Sequence, residues 1–303
     1  MKNILLATTA LVFTAGAAAA EVTLSASGYG NFGFKNAETA TVGDDETVSH
    51  SEIGLSFSGS ATTDTGITVA YSQAIVNTDG AGLADDDATV SISGSFGKLS
   101  FGAVGEADAV NALADLGFDG IGMDDDAEAY DGKVAHDVNY TGTFGAITVS
   151  ASAAMATAGT TATPNKSTAV GVKYAIPMGS TTVGVGFADH DITSGVVTPT
   201  DGTVVNYGLT TTVSGLTIDA LYSEFDTEVA GTSNASSWGV NFSYPVSESL
   251  TLVAAVADKN TAGYSQTTGL GFAYDMGAGM TFKGAAGTQN NISKADLGVS
   301  FSF

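Results

Sequence analysis

The sequence predicts an all-β fold, a transmembrane antiparallel up-and-down β-barrel of sixteen strands. Three observations predict it. Apolar and polar residues alternate with period two along most of the chain, as in strands with one apolar and one polar face. Short turns bearing Gly, Pro or Asp alternate with longer polar stretches, the rhythm of a barrel whose two rims differ. The 303-residue chain is also both acidic and mildly apolar. It has 32 Asp and Glu against 9 basic residues, all lysine, and a net charge of -23, yet its mean hydropathy is +0.20. Such an acidic balance excludes a nucleic-acid binder, which needs clustered Lys and Arg to neutralise phosphates. Too few residues are charged for a disordered acidic chain. With no Cys, thiolate metal sites, disulfides and a cysteine nucleophile are excluded.

The N-terminus reads as a secretory signal peptide over residues 1–20. Lys2 supplies the positive start, Ile4 to Ala15 the apolar stretch, and Ala18-Ala19-Ala20 the small residues before Glu21. The remainder, 21–303, reads as one barrel domain. No later segment has ~18 consecutive apolar residues, so helical membrane spans are not expected.

The first strand shows the alternation: Val22, Leu24, Ala26, Phe32 and Phe34 on one parity, Thr23, Ser25, Ser27, Tyr29 and Asn31 on the other. Ile53, Leu55 and Phe57 continue it, then Ile67, Val69 and Tyr71, and later Trp238, Val240, Phe242 and Tyr244. The last strand sets Leu297, Val299, Phe301 and Phe303 against Asp296, Gly298, Ser300 and Ser302. Sixteen strands are expected, near 22–34, 48–60, 66–76, 88–95, 98–104, 133–141, 146–156, 167–176, 181–190, 203–213, 216–225, 236–246, 249–258, 265–274, 280–288 and 294–303. An even count and lengths near the ~9–11 residues of a tilted membrane strand suit an outer-membrane barrel. The opposite parity is rich in Ser, Thr, Gly and Asn, which fits a water-filled lumen. Tyr140, Tyr174, Tyr207, Tyr222, Tyr244 and Tyr274 fall on the apolar parity towards strand ends, as an interfacial girdle requires.

Between Phe101 and Lys133 the alternation stops, and a loop that long in a compact domain is usually functional or disordered. Ala109, Ala112, Leu113 and Leu116 have helical spacing, so 108–116 is expected to pack as a helix through one face. Around it stand Glu106, Asp108, Asp115, Asp119, Asp124, Asp125, Asp126, Glu128 and Asp131, a field of carboxylates. Asp124-x-Asp126-x-Glu128 begins like a calcium loop, but Ala129 and Ala135 stand where the turn glycine and last carboxylate belong. A weak calcium or magnesium site at Asp124, Asp125, Asp126 and Glu128 is the single cofactor this pattern suggests. Nucleophile elbows and complete phosphate loops are missing, so no enzyme is expected.

Ser93-Gly94-Ser95-Phe96-Gly97-Lys98-Leu99-Ser100-Phe101-Gly102 leading into the long loop, and Ala295-Asp296-Leu297-Gly298-Val299-Ser300-Phe301-Ser302-Phe303 at the end, resemble the general porins of Gram-negative outer membranes, most closely the alphaproteobacterial type. The resemblance implies a homotrimer in the outer membrane whose third loop, about 104–132, folds into the lumen as a constriction. It also implies that Phe303 belongs to the signal read by the barrel-assembly machinery. Such porins oppose the acidic loop with arginines, one often in an Asn-Ser-Val-Arg-Tyr strand. The corresponding run here is His136-Asp137-Val138-Asn139-Tyr140. By parity Asp137 and Asn139 face the lumen, with Lys173, Lys283 and Lys294 as its cations and His50 and His190 mostly neutral. Glu106, Asp108, Asp115, Asp119, Asp137, Asn139, Lys173 and Lys283 are therefore the expected constriction residues. The expected function is passive diffusion of ions and small hydrophilic solutes with a preference for cations, since acidic rings favour them. The alternative is an extracellular structural or adhesive β protein of the surface-layer type.

Overall fold

The computed structural model describes residues 21–38, 45–81, 84–155, 166–177, 179–191, 201–229 and 232–303; the expected signal peptide, 1–20, lies outside them. The strands are β1 (Glu21–Glu38), β2 (Asp45–Thr62), β3 (Thr68–Thr78), β4 (Ala84–Gly94), β5 (Gly97–Val104) and β6 (His136–Phe144). They continue as β7 (Ile147–Ala154), β8 (Lys166–Ile176), β9 (Ser180–Asp191), β10 (Gly202–Val213) and β11 (Leu216–Thr227). The last five are β12 (Ala235–Pro245), β13 (Leu250–Asp258), β14 (Thr267–Gly277), β15 (Met280–Gln289) and β16 (Ile292–Ser302). One short helix, α1 (Met123–Ala127), lies between β5 and β6.

Each strand pairs antiparallel with its sequence neighbours, and β1 pairs with β16 to close the barrel. Closure removes both sheet edges. Phe303 lies beside β1, exchanging two backbone hydrogen bonds with Gly28 at 2.9 Å. Tight reversals fall where the sequence supplies residues that tolerate positive φ. Ser214 and Gly215 (φ 52° and 84°) join β10 to β11, and Asn290 and Asn291 (51° and 62°) join β15 to β16.

Alternation sorts the side chains as expected. The apolar parity carries exposed large side chains, among them Phe32, Phe34, Ile53, Val185, Leu252 and Leu270, the last 68% exposed. Tyr174, Tyr244 and Tyr274 stand close to strand ends, but Tyr207 and Tyr222 are mid-strand partners, their rings 6.3 Å apart. Every buried apolar side chain among the described residues lies in the β5–β6 connection or on the strand positions touching it. The sheet itself has no conventional core.

Candidate functional site

The β5–β6 connection, residues 105–135, forms a strap along the polar face of half the barrel. Its outgoing limb runs from β8 to β16. A Cβ on Gly171 (β8) would overlap the Ala107 carbonyl, and one on Gly186 (β9) the Asp108 carbonyl. Asn111 Nδ2 donates to the carbonyls of Leu209 (3.1 Å) and Ala220 (3.0 Å), on β10 and β11. Leu113 then packs over Gly239 of β12, Leu116 over Gly269 of β14 and Phe118 over Gly298 of β16. The return limb passes back through α1. Ala127 accepts from Ser237 Oγ at 2.7 Å, Tyr130 stacks on Phe225 at 5.6 Å, and Asp131 meets Asn206.

Residues 108–116 are not helical, and distance explains it. Eight strand intervals at ~4.8 Å make a path of ~38 Å. Eleven residue steps cover ~36–40 Å when extended but only ~16 Å as a helix. The buried set is correspondingly Val110, Leu113 and Leu116, while Ala109 and Ala112 are exposed.

Two apolar clusters hold the limbs down. Leu113, Leu116, Ile121, Met123 and Ala127 meet Leu221, Ala255, Ala257 and Ala285 of the wall. Ala107 and Tyr130 meet Ala169, Ala188, Val204 and Phe225. These wall residues sit at positions where a wholly polar face was expected, so apolar side chains on that parity trace the strap's footprint.

Polar anchors fix both ends. At the base, Glu106 Oε1 lies 2.7 Å from His190 Nε2, 3.4 Å from His136 Nε2 and 3.0 Å from Ser167 Oγ, while Oε2 accepts from the Val134 amide at 2.9 Å. Burial pushes this carboxyl up, but the bonds from His136 and His190 and the His190 charge outweigh it and hold it down at about 2. At the tip, Asp296 Oδ2 accepts from three successive amides, Phe118, Asp119 and Gly120, at 3.0–3.1 Å. Its Oδ1 accepts from Ala285 at 2.9 Å. Gly117, at φ 92°, lies so close to this carboxylate that a Cβ would overlap it. Asp119 pairs with Lys35 Nζ at 2.7 Å and His50 Nε2 at 2.8 Å.

The expected site residues therefore separate. Glu106 and Asp108 are buried between strap and wall. Asp119 is held in an ion pair with Lys35, a polar-face lysine that the sequence reading passed over although its parity, shared with Asn31 and Gly33, marks it. Asp115 is exposed as a residue, but its carboxyl leans onto the strap tip beside Gly120, where partial burial, then the charge of and hydrogen bond with Asp124 and the charges of Asp125 and Asp296, push it up to about 7. Asp137 is exposed and accepts from the Met155 amide at 2.6 Å, while its neighbour His136 takes the buried position against Ser152. Asn139 donates to the Gly105 carbonyl at 2.9 Å, at the strap's base. Lys173 and Lys283 lie on the polar parity of β8 and β15, at partly covered positions outside the strap. Asp124, Asp125, Asp126 and Glu128 do not converge. Asp126 accepts from Tyr264 and Thr267, and Glu128 from the Leu113 amide at 2.7 Å. No cluster suited to a metal ion occurs among the described residues. Asp296 and Asn206 were missed as site residues. The visible signal was a lone carboxylate or amide amid small residues on a strand's polar parity.

The fold matches solved porin structures. A Rhodopseudomonas blastica porin variant aligns with TM-score 0.74 at 20% identity, and another with 0.75 at 19%. A structure described under asymmetric conductivity of engineered proteins aligns at 0.76 and 20%. Each alignment covers 92% of this chain and 100% of the other. No curated protein sequence matches. The sequence profile of the Gram-negative porin family matches residues 7–293. A profile match over nearly the whole length, on a closed sixteen-strand barrel, establishes that the chain belongs to the Gram-negative porin family.

Proposed function

We propose that this outer-membrane porin is a passive diffusion channel for ions and small hydrophilic solutes, narrowed by the strap and selective for cations. The carrying observation is the strap itself, packed by its apolar side against the polar wall of β8–β16 with Asp115 and Asp125 on its exposed edge. With the apolar parity turned to lipid, the polar parity lines the lumen and the strap lies inside. The open cross-section is then bounded by that edge and by the strands the strap does not cross, where Ser58, Ser60, Ser72, Ser91 and Lys98 border a cleft of about 190 Å³. At a Debye length of ~8 Å, carboxylates on one side of such an opening act on an ion crossing it.

Export by a signal peptide at 1–20 rests on the sequence, while recognition of Phe303 by the assembly machinery and a homotrimer rest on the family resemblance. Reversal potentials in a planar bilayer under a salt gradient test the selectivity. The expected sign is that of cation permeation, and a clear anion preference refutes it.

A further inference from the structure

Three buried carboxylates lie together at the base of the strap. Glu106 is compensated there by two imidazoles. Asp108 and Asp131 are not: among the described residues, no Lys or His nitrogen lies within ion-pair distance of either. Instead both are gripped by one neutral side chain. Asn206 Nδ2, on β10, donates to Asp108 Oδ2 at 2.8 Å and to Asp131 Oδ1 at 2.6 Å. Asn206 and Asp108 are fully buried, Asp131 is 6% exposed, and Asp108 Oδ1 has no hydrogen-bond partner. Asp108 belongs to the outgoing limb and Asp131 to the return limb, so this clasp ties both limbs to the wall at one point.

We propose that the Asp108–Asn206–Asp131 clasp is a proton-dependent latch, which holds the strap when the pair carries a proton and loosens it when both carboxyls ionise. The device rests on the reading of the strap as the channel constriction. Two buried carboxylates sharing one amide donor cannot both be charged without repelling the limbs that carry them.

The groups facing the pair come from every neighbouring element. Glu106 (strap) adds negative charge, and Glu128 adds to it at Asp131. Against them, His190 of β9 and the Gly132 amide favour the charged form of Asp108, and exposed Lys133 weakly favours that of Asp131. On β11 the cross-strand partner of Asn206 is the uncharged Ser223, and on β8 Ser167 bonds to Glu106. Burial, reinforced by Glu106, raises Asp108 to about 7; burial, reinforced by Asp108, raises Asp131 to about 8. A carboxyl raised on docking binds its proton more tightly in the docked state. The contribution to docking is therefore full at or below the ordinary carboxylate range, weakens as pH climbs from it, and is least above about 8.

Planar-bilayer recordings of the full protein, with the same channels moved between pH 6 and pH 9, test this. Quiet open-channel current is expected at pH 6. At pH 9, at least ~tenfold more low-frequency noise or new sub-conductance steps are expected, since the step from pH 6 passes both raised values and each unit passed is a tenfold population change. Asp131→Asn keeps the oxygen that accepts from Asn206 and cannot ionise, so its channels stay quiet at pH 9. Asp108→Asn serves as the second variant. Asp115→Asn, at the exposed edge, retains the alkaline noise. Equal noise at both pH values, or alkaline noise surviving in both clasp variants, overturns the proposal. Hydrogen exchange in peptides 106–113, normalised to intrinsic rates, gives a readout independent of conduction: acceleration at pH 9 in the wild type and none in Asp131→Asn. A heat-modifiable barrel without conductance would refute the channel reading, leaving the exchange result to decide the latch.

Discussion

Asp296 and Gly186 show how much of the strap's position depends on single residues. The Asp296 carboxylate receives three amides from the strap tip, and hydrogen bonds to a charged acceptor contribute about 1.5–3 kcal/mol. Asp296→Asn removes the charge and one acceptor, so we expect the tip to weaken by about 2 kcal/mol. The readout is faster hydrogen exchange at 117–120 with an unchanged barrel. Gly186 works by absence: a Cβ there would overlap the Asp108 carbonyl. Gly186→Ala is expected to push the outgoing limb off the wall into the opening. Single-channel conductance then falls while the protein still migrates as a heat-modifiable barrel. Wild-type conductance in this variant would mean that the strap does not border the ion path. Neither role was legible from the sequence, because strand parity placed both residues on the polar face but could not say what approached them.

Strap and strands, compared as elements, differ in how openly the sequence declares them. All sixteen strands lie within a few residues of their expected ranges, because period-two patterning is a local signal that the sheet preserves. The strap was located by the loss of that signal, but its conformation was misread. Helical spacing in 108–116 is a local property, whereas the need to reach from β8 to β16 is a distance set by the whole barrel, and the longer requirement prevailed. The candidate site was half visible for the same reason. Its acidic residues could be named, but not which ones the wall would bury. Leu116, 1% exposed in the larger apolar cluster, carries the next prediction. Leu116→Ala should weaken strap docking by about 2–5 kcal/mol. Exchange protection would be lost across the outgoing limb while the strand amides stay protected.

For the whole molecule, net charge alone overstates the negative field in the channel. Glu106 is buried against the wall, Asp119 is paired with Lys35, and Asp108 and Asp131 retain protons near neutrality. Asp115 is exposed on the strap's edge and raised to about 7, so it gains charge as pH rises through neutrality. Cation preference is therefore expected to increase from pH 6 to pH 8 at a fixed salt gradient, read as a shift in reversal potential. Asp115→Asn should flatten much of that shift; an unaltered shift would assign the titration to other groups. The composition sets the expected sign of this field, and folding decides how many charges contribute. The strap also bears on assembly order. Its tip bonds to Asp296 across 178 residues of sequence, on the last strand to be synthesised. Until that strand arrives the amides of Phe118, Asp119 and Gly120 lack their acceptor, although Asp119 can already pair with Lys35 and His50 of the first two strands. Zipping β16 onto β1 therefore completes two structures in one event, the seam of the barrel and the seat of its strap. A barrel that fails to close should be recognisable to quality-control proteases by a cleavable strap.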